Sequence, residues 1–119
     1  FRLNVGYTNG AGFHNGTTTA RCLRSMFSFH DTKHINVMCY ALSGDDKSEE
    51  RQKIKSACAG GWTEGSSMSD LQLATKVAND NVHVLVDSTG YTMKYRAEFL
   101  AMSTVPILLS FHGFPGTMA

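Results

Sequence analysis

The sequence predicts an α/β domain, a Rossmann-like and mostly parallel sheet with helices on both faces. Three observations carry this. Short apolar runs alternate along the chain with segments of helical period. One run, INVMCYAL (35–42), is almost unbroken, as a strand covered on both sides requires. Glycine-bearing loops follow the runs, namely TNGAGFHNG, SGDD, DSTGYT and HGFPGT. In parallel folds such loops gather at the carboxyl ends of the strands, where ligands bind.

Taken in order, LNVGY (3–7) is a short strand. Ala20, Leu23 and Phe27 then fall at i, i+3, i+7 and predict a helix. The run 35–42 is the second strand, and SGDDKS a turn. Residues 49–58 read as a helix with Ile54, Ala57 and Cys58 on one face, Glu49 and Lys53 paired at i, i+4, and Gly60-Gly61 as its stop. GWTEG (61–65) is either one more short strand or a loop. Ser69 opens a helix, with Gln72 completing a capping box and Leu71, Ala74 and Ala78 as its buried stripe, Leu73 and Val77 beside it. VHVLVDS (82–88) is a strand, RAEFLAM (96–102) a short helix and VPILLSF (105–111) a last strand. That strand starts late or lies partly at an edge, because Pro106 has no N–H for a ladder.

The 119 residues suit one domain, or a piece of a larger one, and 42% hydrophobic content suits a globular core. Eleven Lys/Arg against ten Asp/Glu, with no basic cluster, argue against a nucleic-acid partner. No apolar run approaches membrane-spanning length, so no membrane partner is expected. The charge run DDKSEERQKIK alternates in sign and reads as a solvated helix face. Cys22, Cys39 and Cys58 are odd in number, widely spaced and without a C-x-x-C pair. They read as reduced core thiols of a cytosolic or nuclear protein. Cys39 and the phenylalanines at 27, 29 and 99 are expected in the core. A chain that begins at Phe1 and ends just after a Pro-Gly turn reads as a fragment.

Chemistry-bearing residues are few. GAGFHNG (10–16) sits between a strand and a helix, as a dinucleotide fingerprint does, but its spacing is G-x-G-x-x-x-G. The second strand also ends CYALS, with no acidic residue to take a ribose hydroxyl. A turn-forming loop without cofactor fits better; a nucleotide-binding oxidoreductase-like domain is the weaker alternative. His30 and His34 are spaced H-x-x-x-H, yet DTK between them reads as a turn and no third ligand is near, so surface histidines are expected and no metal site. His83, among alternating valines, is expected to be a hydrogen-bonded structural histidine. His14 lies in the first loop and is a weak catalytic candidate; His112 ends a strand at the ligand rim.

The last third of the chain, DSTGYTMKYRAEFLAMSTVPILLSFHGFPGTM (87–118), resembles the catalytic region of the O-linked N-acetylglucosamine transferases, including the SPINDLY-type enzymes. The resemblance rests on Gly90-Tyr91-Thr92, Arg96, Pro106 and Gly113-Phe114-Pro115-Gly116-Thr117, in that order. INVMCYALSGDD (35–46) and RLNVGY (2–7) are similar to the family's second and first strands. The resemblance implies one partial N-terminal lobe, residues 1–119, of a two-lobed GT-B glycosyltransferase whose second lobe and helical repeats lie outside this chain. It implies transfer, with inversion, of N-acetylglucosamine from a UDP-sugar donor to Ser or Thr hydroxyls of a protein acceptor, or of fucose as in SPINDLY-type relatives. No cofactor and no metal are implied, and the second lobe is a partner in cis.

The same resemblance places the first loop. Phe13 and Asn15 anchor the match, which sets Gly12 where the family carries an Asp, Gly16 where it carries a His, and Ala20 where it carries a second His. Thr17 stands for the family's Pro, and Thr18 matches its sugar-facing Thr. Thr18, His112, Gly113 and Pro115 are thus the implied substrate- and donor-binding residues, with no firm catalytic residue. Met93-Lys94-Tyr95 and Ser103-Thr104-Val105 also depart from the family pattern. These departures support a second reading, a catalytically degenerate lobe that binds a nucleotide sugar or a protein.

Overall fold

A computed structural model describes residues 1–90, Thr92 and residues 94–112. Tyr91, Met93 and the GFPGT motif with Gly113 and Pro115 lie outside the described residues. Among the described residues five strands form one sheet: β1 (Leu3–Asn9), β2 (Ile35–Ala41), β3 (Gly61–Glu64), β4 (Val84–Asp87) and β5 (Ile107–Ser110). Their order is β3-β2-β1-β4-β5 and every adjacent pair is parallel. GWTEG therefore holds a strand, paired to β2. β5 begins one residue after Pro106, on an N–H···O bond from Ile107 to His83. His83 itself accepts from the Asn4 N–H at Nδ1 (2.9 Å), the structural role expected of it.

Helices cover both faces. On one, α1 (Thr18–Leu23), a 3₁₀ turn (Met26–Phe29) and α2 (Glu49–Ala57) bury Ala20, Leu23, Phe27 and Ile54 against Val5, Tyr7, Val37, Cys39 and Val86. On the other, α3 (Asp70–Asn79) and α4 (Ala97–Met102) bury Leu73, Val77 and Phe99 against Tyr40 and Leu85. Even periodicity along β2 explains the split: Val37 and Cys39 face one layer, Tyr40 the other. Both bonds of the Ser69–Gln72 capping box are present at the start of α3.

Several expectations are corrected. The buried face of α3 is Leu73, Ala74 and Val77, while Leu71 and Ala78 are exposed. Leu71 and Leu73 lie about 200° apart round a helix, so both cannot face the sheet, and the Leu73–Val77 pair takes it. Phe29 is also exposed, because the chain tightens into a 3₁₀ turn after α1 and turns that ring away from the Phe27 side. The cysteines are not three reduced core thiols: Cys39 on β2 and Cys58 at the end of α2 form a disulfide, and Cys22 is exposed. His30 is half-buried rather than on the surface, hydrogen-bonded to the Tyr7 hydroxyl (2.7 Å) and stacked on Phe27. His34 is exposed and paired to Asp31 in the expected turn.

Candidate active-site rim

The strand order reverses between β1 and β4, and ligands of open α/β sheets bind at that switch point. The loops that emerge there are residues 10–17 after β1 and the segment from Ser88 after β4, with the SGDD turn after β2 alongside. Buried polar residues knit their bases together. Asn9 donates to Ser88 Oγ (3.1 Å) and accepts the Phe13 N–H (3.2 Å), while Gly10 N–H donates to Thr89 Oγ1 (2.6 Å). Asp87, almost wholly buried, accepts from Thr8 Oγ1 and from the backbone N–H groups of Thr89 and Gly90. These bonds offset the desolvation of a buried carboxylate and fix the turn that carries Gly90 and Thr92.

The β1–α1 loop is anchored by Phe13, fully buried against Phe27 and Trp62 although its φ is +60°. Burial of a phenylalanine is worth about 1.5–3 kcal/mol, enough to offset a left-handed backbone that costs about 1–2 kcal/mol. Gly12 and Gly16 also have positive φ, +69° and +85°. Their surroundings differ. A Cβ on Gly12 would lie 2.8 Å from the Ser43 carbonyl oxygen, whereas one on Gly16 meets nothing within 4 Å.

His14 folds back over Gly12, its Nε2 3.2 Å from where a Gly12 Cβ would stand. The same nitrogen is hydrogen-bonded to the Gly44 carbonyl. A carbonyl only accepts, so Nε2 carries the proton. The ring tethers the loop to the SGDD turn, and Asn15 N–H adds a second tether to Asp46 (2.8 Å). Asp46 is held below the usual carboxylate range: desolvation opposes this, but hydrogen bonds from Ser48 and the Asn15 N–H outweigh it.

Thr17 caps α1, accepting from Ala20 N–H and donating to the His14 carbonyl (2.9 Å). Thr18 follows it, exposed at the first turn. His112 is exposed just beyond β5. β5 lies two strands from β1, so roughly 10 Å separates the strand ends that lead to His112 and to the loop before Thr18. Arg96 turns inward, bonding Asp70 (2.8 Å) and the carbonyls of Gly65 and Met68, and so holds the β3–α3 connection to α4.

Sequence reasoning missed Arg51. Instead of lining a solvated face, its side chain is fully buried. Its Nε donates to the Gly12 carbonyl (2.9 Å), Nη2 to the Ser43 carbonyl (3.3 Å), and Nη1 and Nη2 to the two Glu64 oxygens (3.1 and 2.7 Å). Asp45 adds an ion pair and the Trp62 ring lies 5.1 Å away. The Arg51 hydrogen bonds hold the Glu64 carboxyl below its ordinary pKa. One signal was available: Arg51 shares the i, i+3, i+7 stripe with Ile54 and Cys58. Among the described residues no group of three His, Cys, Asp or Glu side chains could hold a metal.

Glycosyl transferase family 41 matches the chain over residues 1–119. The chain belongs to that family. It is 37% identical over 116 residues to a probable UDP-N-acetylglucosamine–peptide N-acetylglucosaminyltransferase, SEC, of Arabidopsis thaliana, covering 98% of this chain and 12% of that protein. It is 32% identical over 123 residues to the UDP-N-acetylglucosamine–peptide N-acetylglucosaminyltransferase of Caenorhabditis elegans, covering 98% of this chain and 10% of that one. Among solved structures, the Thermobaculum terrenum O-GlcNAc transferase mutant K341M superposes with a TM-score of 0.85 at 19% identity, over 95% of this chain and 21% of the other. The chain thus spans about a tenth of the length of those two transferases and about a fifth of the solved structure, and the family 41 fold accounts for the parallel sheet with helices on both faces.

Proposed function

We propose that this family 41 chain forms part of the catalytic region of a protein O-linked glycosyltransferase, the N-terminal lobe of a two-lobed enzyme. It would take N-acetylglucosamine, or fucose, from a nucleotide-sugar donor to Ser or Thr hydroxyls of a protein acceptor. The family match over the whole chain carries this reading, and two relatives named for peptide N-acetylglucosaminyl transfer support it. Thr18 and His112 are the described residues through which this lobe would contact donor or acceptor, with Gly113 and Pro115 kept only as what the resemblance implies; a second lobe would complete the donor site. Membership of this family leaves the oxidoreductase-like alternative without support.

Inverting transfer needs a base to take the acceptor proton, and a positioned side chain contributes roughly 10²–10⁴-fold. Gly12 and Gly16 supply none, and the Nε2 proton of His14 points at a carbonyl. That observation favours the second reading as well, a degenerate lobe that binds donor or protein without turnover. Sugar transfer and UDP binding by the full-length protein, with Gly16→His beside the wild type, separate the two. Transfer that is weak in the wild type and rises in Gly16→His supports a transferase with a weakened loop. UDP binding with no transfer in either protein supports the degenerate lobe. A fully active wild type removes the role given to position 16.

A further inference from the structure

We propose that Arg51 is a positioning residue that sets the geometry of the loop from Gly12 to Thr18, on which transfer at this rim depends. The proposal rests on the transferase reading above. The guanidinium is wholly buried, yet its hydrogen-bonding partners belong to three separate elements: Gly12 in the β1–α1 loop, Ser43 after β2 and Glu64 on β3. Each sits at the carboxyl end of its strand. Arg51 therefore ties the first loop to the neighbouring strand ends.

The arrangement needs a planar fork. Glu64 takes two parallel N–H bonds on one edge, and the remaining donors reach two backbone carbonyls on other sides. A lysine ammonium is a point charge on a flexible stem and cannot span these partners at once. Gly12 belongs to the same device. Its missing Cβ lets the Ser43 carbonyl come close, so that the two carbonyls converge on one side chain. Without Arg51, both buried carbonyls lose a charged donor and the convergence has no cause. The loop would then rest on buried Phe13, on the bonds of the Gly12 and Phe13 N–H groups to Asn9, and on the exposed tethers of His14 and Asn15.

The test uses the full-length protein with Arg51→Met, Arg51→Lys and Glu64→Gln. Hydrogen exchange is read on peptides covering 10–20 and on those covering β1 and β4, alongside kcat, donor KM and UDP binding. In Arg51→Met, exchange in 10–20 should rise roughly ten-fold while β1 and β4 hold theirs. Its kcat should fall roughly 10- to 100-fold, with donor KM and UDP affinity near wild type. Arg51→Lys should recover only a small part of the loss, and Glu64→Gln should fall between. Unchanged exchange in 10–20 overturns the proposal. So does a parallel rise in β1 and β4, which makes Arg51 a support of the whole fold, or a loosened loop with unaltered kcat. A wild type that transfers no sugar removes the transferase reading instead, and the exchange on 10–20 then decides alone whether Arg51 sets the loop.

Discussion

Replacing Gly12 and Gly16 by alanine, one at a time, separates two reasons for a glycine. Both have positive φ, so both substitutions force an L-residue into left-handed backbone, at about 1–2 kcal/mol each. At Gly16 nothing further is added, since a Cβ there meets nothing within 4 Å. At Gly12 the Cβ would sit 2.8 Å from the Ser43 carbonyl oxygen. That atom is backbone and bonded to Arg51, so it cannot swing aside as a side-chain tip would. Overpacking of this kind adds about 1–3 kcal/mol, which brings Gly12→Ala to about 2–5 kcal/mol against 1–2 for Gly16→Ala. Urea titrations read by hydrogen exchange at β1 and β4 in the full-length protein give the two losses on one scale. Equal losses, or a larger loss at Gly16, would refute the close approach of Gly12 and Ser43.

Other consequences are simpler to check. A Cβ on Gly6 would lie 3.0 Å from Tyr40 Cε2 and 3.2 Å from both Leu85 and Val82, so Gly6→Ala should lower the urea midpoint by an amount equivalent to about 1–3 kcal/mol. Glu64 has a lowered folded pKa, so its contribution is whole above the ordinary glutamate value and is lost as pH falls below that value through the lowered folded one. Wild type should lose more stability than Glu64→Gln between pH 6 and pH 3 (both approximate bounds) in urea titrations. Tyr7 runs the other way: burial raises its pKa, so its contribution holds below the ordinary tyrosine value and is lost as pH rises above that value through the raised folded one, a loss that Tyr7→Phe should abolish. The Cys39–Cys58 bridge closes a separation of 19 residues, so Cys58→Ser should destabilise by about 3 kcal/mol, and reductant should bring the wild type to the same value.

Much of the fold was legible because it rests on local rules. The two periods, the Ser69 capping box and the ladder gap at Pro106 each act within a few residues of their cause. What stayed hidden depends on which chain segments meet. Leu71 and Leu73 are equally apolar in sequence, and only the docking of α3 chooses Leu73. Cys39 and Cys58 sit in different elements, and only the packing of α2 over β2 joins them. Arg51 is the clearest case, since every partner that draws it inward lies on another element. Its charge outweighed its place on the Ile54–Cys58 stripe in a reading of one helix alone.

The same contrast bears on Gly12 and Gly16, which the sequence resemblance alone sets at an acid and a base of the family pattern. A glycine at a catalytic position invites the reading that a functional group has been deleted and the space left behind. That fits Gly16, which faces open space and could carry an imidazole for the cost of a left-handed residue. It does not fit Gly12. There the Ser43 carbonyl occupies the approach, Arg51 holds that carbonyl in place, and the His14 ring covers what remains. Gly12→Asp would have to displace three partners before its carboxylate could act, so that end of the loop is filled rather than empty. Any gain of transfer should therefore come from Gly16→His alone, and Gly12→Asp added to it should remove that gain. A double variant more active than Gly16→His would show instead that the Arg51–Ser43–Gly12 contact yields readily, and the rim would then be a worn catalytic loop at both ends.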